Sequence, residues 1–265
     1  RRQRQMCIRD RIYLIRSNYT RIVSLFFWII VDILLWGFLT HYLNHINKSE
    51  VNFVTLLLGA VLFWDFFNRI MYGVVMGFLE DVWARSFVNL FCSPILLKEY
   101  LAGLILSSLI VGSIALGIMV FIACFIFGLS FLAYGWVALF SLIILLLFGI
   151  SFGILAISIM LRFGPSAEWL IWPLPAVLAP FVGIFYPVEI LPSWMQGISR
   201  VLPASYVFES LRQVVLRQTL NYTHLGISFI LVCGYLAFFS WLFYLIYIDT
   251  LKSGRIARYS AENIS

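Results

Sequence analysis

Six long apolar stretches run through this chain, at 22–44, 53–78, 101–127, 135–161, 169–186 and 225–248. A bilayer core takes about 20 residues of helix to cross, so each is a candidate membrane span. Composition agrees with that solvent. The chain is 63% apolar and 11% charged, where a soluble domain runs about 45–50% and about 25%. The expected fold class is therefore all-α integral membrane, with six transmembrane helices in a single domain over 1–265. Pro173, Pro175 and Pro180 fall inside the fifth stretch, which predicts a kinked or discontinuous helix there.

Charge placement orients the spans. With the N-terminus inside, thirteen Lys and Arg residues fall on the cytoplasmic side. Lys48, Arg200, Arg212 and Arg217 fall outside, and Arg69 lies within a span. The positive-inside rule then places both termini in the cytoplasm. The orientation does not depend on residues 1–11. The first apolar run is too long for a cleavable signal and has no small-residue cleavage site after it.

The net charge of +6 does not point to nucleic acid, because the cations sit beside span ends, where anionic lipid headgroups attract them. Cys7 and Cys92 fall on the cytoplasmic side and Cys124 and Cys233 in spans, which implies neither a disulfide framework nor a zinc motif. No Gly-x-x-x-x-Gly-Lys-Ser/Thr loop is present, so the chain lacks the usual backbone cradle for ATP. His41 and His45 share a helix face, and His224 is expected at the same outer level. A metal would need further ligands, and polar rings at span ends also serve as interfacial anchors; the reading adopted is no metal and no cofactor in this chain. The sequons at Asn47 and Asn221 fall in outer loops and matter only in a glycosylating pathway.

Charges inside the membrane are costlier. Asp32 is central in the first span and Asp65 in the second, with Arg69 one turn further on. A lone charge at mid-bilayer costs about 2.5–3.5 kcal/mol on insertion scales, so such residues face partners or water. Two readings stay open: an Asp65–Arg69 pair, shared with Asp32, that locks two spans together, or a wall of a substrate path.

Between the second and third spans, segment 79–94 opens with Glu80 and Asp81, which suit a helix N-terminus. Val82, Phe87, Leu90 and Phe91 recur at helical spacing until Pro94 ends the segment. Such a helix can float at the membrane edge. After the fifth stretch comes a proline-punctuated run with Tyr186-Pro187, Leu191-Pro192-Ser193-Trp194, Leu202-Pro203 and Glu209-x-x-Arg212. Broken helices of this kind survive in membranes where they are packed in protein or lie at the interface.

Together these two segments resemble the permease subunit of ABC type-2 exporters. In that family the first is the helix that docks in the ATP-binding subunit, and Glu80, Asp81, Trp83, Arg85, Asn89, Leu90, Phe91, Ser93, Pro94 and Glu99 match it. The second is the outer-face signature, matched by Tyr186, Pro187, Pro192, Trp194, Pro203, Glu209 and Arg212. The resemblance extends from the amphipathic stretch 12–21 through Leu35-Trp36-Gly37-Phe38 to the last span. Thr20 stands where the family often has Pro.

The resemblance implies a cytoplasmic interfacial helix at 12–21, a coupling helix at 79–94 and short outer-face helices over 187–217. It further implies a permease homodimer in a bacterial inner membrane, with two copies of an ATP-binding subunit that hold the ATP and Mg. The cargo would be amphipathic: lipid-like, polysaccharide or drug-like. Two alternatives are a membrane-embedded transferase, which should cluster acids or histidines at one face, and a channel or secondary transporter, which should carry paired broken helices in inverted repeats.

Overall fold

A computed structural model describes residues 19–46, 54–83, 97–216 and 222–253. Among them every regular element is helical. Helix α1 is Tyr19–Ile46. A π-helical turn, Val54–Leu58, leads into α2, Gly59–Trp83. Helix α3 is Leu97–Phe127, and a 3₁₀ turn at Phe131–Tyr134 opens α4, Gly135–Phe163. Two short helices follow, α5 at Glu168–Ile171 and α6 at Leu174–Val182. Then come α7, Ser193–Val201, α8, Pro203–Val215, and α9, Tyr222–Lys252.

Five of the six apolar stretches form segments long and apolar enough to cross a membrane. The fifth does not. Its apolar helical part is Glu168–Val182, about 22 Å at 1.5 Å per residue, short of a core about 30 Å thick. Proline is the cause. Pro173 stands at the N-cap of α6 and Pro175 in its first turn, where a missing N–H costs nothing, while Pro180 interrupts the helix interior. The second stretch is longer than expected: no breaker follows Phe78, so α2 continues to Trp83 and takes in the start of segment 79–94.

Helices α2 and α4 are the centre of the bundle. Two-thirds (67%) of the segments containing them is buried, against 22% for those of α1, α3 and α9. Lipid tails are as apolar as side chains, so close packing and interhelical hydrogen bonds drive association here. Glycines set that closeness. A Cβ on Gly149 would meet the Phe67 carbonyl at 3.0 Å, and one on Gly153 would meet Val74 Cβ at 2.8 Å. On the other flank Gly73 abuts Ser108, whose Oγ donates to the Ile70 carbonyl at 2.7 Å. An aromatic column continues the core: Phe67 stacks on Phe148 at 5.0 Å, and Phe152 meets Phe239 of α9 edge-on at 5.5 Å. Helix α1 is peripheral, packed mainly on α3 and the π turn.

Candidate functional site: a charged groove and two flanking segments

Helix α2 turns one face away from the core. Along it Trp64, Asp65, Asn68, Arg69, Tyr72, Met76 and Glu80 recur every three or four residues, each half-buried, while the residues between them are mostly fully buried. Two neighbours approach this face. From α1 comes Asp32, which interacts with both Asp65 and Arg69. From the α5–α6 junction comes Trp172: its carbonyl accepts a 2.7 Å hydrogen bond from Tyr72 Oη, and its ring lies 5.0 Å from that of Tyr72. Trp172 Nε1 in turn donates to Glu168 Oε1 at 3.1 Å. The face is thus a partly buried strip between α1 and the α5–α6 junction, termed the groove below.

Within it Arg69 Nη2 donates to Asp65 Oδ2 at 2.9 Å, with both side chains 16% exposed. The three charges picked out from sequence therefore lie near one another: Asp65 pairs with Arg69, and Asp32 shares a side-chain hydrogen bond with Asp65 and feels the charge of both. Arg69 Nε and the neighbouring Asn68 Oδ1 are buried without a hydrogen-bond partner. Asn68, Tyr72 and Trp172 were not singled out from sequence. The i, i+4 spacing of Trp64, Asn68 and Tyr72 is the signal that could have found them.

At the Trp83 end of α2, the docking residues divide. Asp81 Oδ2 accepts a 2.7 Å hydrogen bond from Tyr100 Oη of α3, Glu80 is half-buried, and Trp83 is 52% exposed. Arg85, Asn89, Leu90, Phe91, Ser93 and Pro94 lie outside the described residues, as does most of the interfacial stretch 12–21.

At the opposite end, the signature residues close a broken helix. The last turn of an α-helix leaves carbonyls without intrahelical partners, and in a membrane they must be met from inside the protein. Here Tyr186 Oη donates to the Pro180 carbonyl at 2.8 Å and Ser199 Oγ donates to that of Phe181. Arg212 Nη2 donates to the Gly183 carbonyl at 2.8 Å, while its Nη1 donates to Glu209 Oε2 at 2.7 Å. Gly183 caps α6 with a φ of 70°, a conformation other residues rarely adopt. Burial pulls the Arg212 guanidinium below its ordinary value, and the Glu209 carboxylate beside it works against that.

Pro187 leads into a 3₁₀ turn, Pro192 stands at the N-cap of α7 and Pro203 is the first residue of α8. The Pro203 carbonyl accepts from Ser228 Oγ of α9 at 2.7 Å. Trp194 is 65% exposed, with its ring edge-on to Phe181 at 6.2 Å. A narrow cleft lies beside Arg212, between the π turn, Tyr134 and Phe208, with a cavity volume of only about 10 Å³.

The histidines are not brought together. His41 and His45 are exposed on α1, whereas His224 begins α9, half-buried, its ring 5.7 Å from Tyr206. Among the described residues no group of three or more His, Cys, Asp or Glu is placed to hold a metal. Gly149-Ile150-Ser151-Phe152-Gly153 has the spacing of a serine nucleophile elbow, although the sequence was expected to hold none. An elbow needs a strand-to-helix turn with an exposed hydroxyl. Ser151 is instead inside α4, fully buried, donating to the Phe148 carbonyl at 2.8 Å.

No curated protein matches the chain. The family model of the ABC-2 type transporter matches residues 6–216, a stretch that takes in the groove, the Trp83 end of α2 and the segment that closes α6. With apolar helices long enough to cross a membrane and this match over most of its length, the chain belongs to the ABC-2 type transporter family and is an integral membrane permease.

Proposed function

We propose that this permease is the membrane subunit of an ATP-driven exporter and that the groove over α2 is one wall of its translocation path. The observation that carries the reading is the grouping of Asp32, Asp65 and Arg69 on a partly buried face between apolar helices. Charges at such a depth face water, a partner or a polar ligand. The exposed sides of α3 and α9 are apolar, with Phe121, Phe125, Ile230 and Phe238 turned outward, so they suit lipid. The α2 face does not. A second copy of the chain, set face to face across this groove, would cover it and leave a polar passage between the two.

Family membership implies pairing with an ATP-binding subunit. In this reading two copies of that subunit bind ATP and Mg and dock on segment 79–94 through Glu80, Asp81, Trp83, Arg85, Asn89 and Phe91. The charge distribution favours cytoplasmic termini in a bacterial inner membrane. Helices α5 and α6, with the residues up to Tyr186, serve as a partial fifth crossing, giving six, and α7 and α8 lie at the outer face. Cargo is amphipathic.

The test is co-expression with the ATP-binding subunit and reconstitution in lipid. ATP hydrolysis should require that subunit. A single cysteine at Asn68, in a chain whose four cysteines are changed to Ser, should react with a hydrophilic, membrane-impermeant thiol reagent. Hydrolysis by the isolated chain would overturn the division of labour, and an unreactive Cys at 68 would overturn the path.

A further inference from the structure

We infer that Trp36 and Phe185 form an apolar gate at the outer end of the groove; the inference rests on the groove being part of the path and names what controls its exit. Three observations lead there.

The first is a bridge across the groove. Trp36 lies on α1 one turn beyond Asp32. Phe185 lies in the non-helical stretch that follows the Gly183 cap of α6. Their rings stack at 4.8 Å, 13° from parallel. Asp32 is where α1 meets the charges of α2, and one helical turn rises about 5.4 Å. The stack therefore stands just past the charges, on the side of the π turn.

The second is the lining at that end. Asp65, Asn68 and Arg69 make the middle of the groove polar. Toward the π turn such groups give out, and Leu56, Leu57 and Ala60 border the narrow cleft that Phe185 also borders. The polar side chains beside that cleft are already paired: Tyr134 Oη donates to the Thr55 carbonyl, and Arg212 donates to Gly183 and Glu209. Its cavity volume is about 10 Å³, while one water needs about 10–15 Å³. A polar strip thus ends at an apolar closure with no room for a hydrated group. Hydrophobic constrictions gate by dewetting and need no blocking charge.

The third is how the two rings are held. A Cβ on Gly37, the residue after Trp36, would lie 2.2 Å from the Phe127 ring of α3, and Phe38 meets the same ring edge-on at 5.4 Å. Trp36 is thereby fixed to α1 and α3. Phe185 is fixed to the other side: the Gly183 carbonyl accepts from Arg212 of α8, and Tyr186 Oη donates to the Pro180 carbonyl. Where the two sides meet at Trp36 and Phe185, ring face lies on ring face. Stacked rings part without leaving a hydrogen-bonding group unmet, whereas the ties of Gly183 and Pro180 do not. The seal opens at this contact before the ties behind it give way.

The experiment uses the permease, its own four cysteines changed to Ser and Asn68→Cys added, co-expressed with its ATP-binding subunit in right-side-out membrane vesicles. A hydrophilic, impermeant thiol reagent is added outside without ATP, and the rate of labelling at position 68 is measured. Phe185→Ala and Trp36→Ala should each raise that rate about 2- to 10-fold, the factor one aromatic pair is worth. Phe185→Tyr keeps the ring and should label like the parent. No rise in either Ala variant would overturn the gate, and so would a rise shared by Phe185→Tyr, which would report a loosened fold instead of a lost ring. In both cases labelling of position 68 from the cytoplasmic side, in inverted vesicles, leaves the path standing. A position 68 that labels from neither side, with ATP or without, removes the path and this inference together.

Discussion

Tyr100 Oη donates a 2.7 Å hydrogen bond to Asp81 Oδ2, tying the first turn of α3 to the last turn of α2. Tyr100 is 7% exposed, so its ring is part of the core while its hydroxyl reaches the acid. The pair fastens the base of the segment proposed to dock on the ATP-binding subunit, two residues before the exposed Trp83. Asp81 is in this respect a positioning residue, and Trp83 is free to meet a partner.

Trp83→Ala should lower the affinity for the ATP-binding subunit by about tenfold or more, the scale expected when a central aromatic anchor is truncated. Insertion and thermal stability of the permease should hold. Titration of purified subunit onto the reconstituted permease measures it, and an unchanged affinity would move the docking surface elsewhere. Tyr100→Phe should have a smaller effect of the same sign, because it loosens the base and leaves the anchor.

The Asp65–Arg69 pair can be exchanged. Arg69→Ala should destabilise the chain by about 3 kcal/mol, since it leaves Asp65 and Asp32 without their cation, and Asp65→Ala by less, since Asp32 remains near the guanidinium. Asp65→Arg combined with Arg69→Asp should recover most of that loss, because i, i+4 pairs form in either order with a modest orientation preference. Thermal unfolding in detergent gives the stability, and ATP hydrolysis of the full complex in lipid gives the function. A stable exchanged protein with full activity would argue that the pair only holds α2 in place. A stable but uncoupled one is expected if the groove contacts cargo.

Arg212 joins two elements through one side chain. Arg212→Ala removes the donor to Gly183 and leaves Glu209 without its cation, so a loss of about 2–3 kcal/mol is expected. Arg212→Lys should fall between, since an ammonium cannot reproduce the forked geometry that serves Glu209 and Gly183 together. The midpoint of thermal unfolding orders the three proteins. Equal midpoints for Arg212→Ala and the parent would show that the end of α6 is closed without this side chain.

Glycines at the α2–α4 contact should be intolerant in a way that glycines elsewhere are not. Gly149→Val pushes against the Phe67 carbonyl, which is backbone and cannot swing aside, so about 1–3 kcal/mol of stability should be lost. At Gly117 of α3, an added methyl would have nothing within 4 Å of it. Gly117→Ala should therefore be neutral or stabilising by up to about 1 kcal/mol. Equal behaviour of the two variants in thermal unfolding would contradict the packing described.

Much of this molecule is legible in its sequence. Uninterrupted apolar runs of about 20 or more residues admit little but membrane helices, because in a bilayer the backbone must satisfy itself locally. Five of the six runs are such helices. The prolines at 173, 175 and 180 mark the fifth as discontinuous for an equally local reason, the missing N–H. The family is legible too, since Tyr186-Pro187 through Arg212 is a contiguous string. What residues far apart in sequence do for one another cannot be read that way. No local rule says that Asp32 meets Asp65, that Tyr100 holds Asp81, or that Arg212 reaches back to the carbonyl of Gly183. The partial burial of this face of α2 is also a tertiary result. The spacing of Asp65, Asn68 and Arg69 marks the polar face, but which helix covers the opposite one is not local, and there Gly149 and Gly153 let α4 come close. That choice leaves Asp65, Asn68 and Arg69 turned toward the groove.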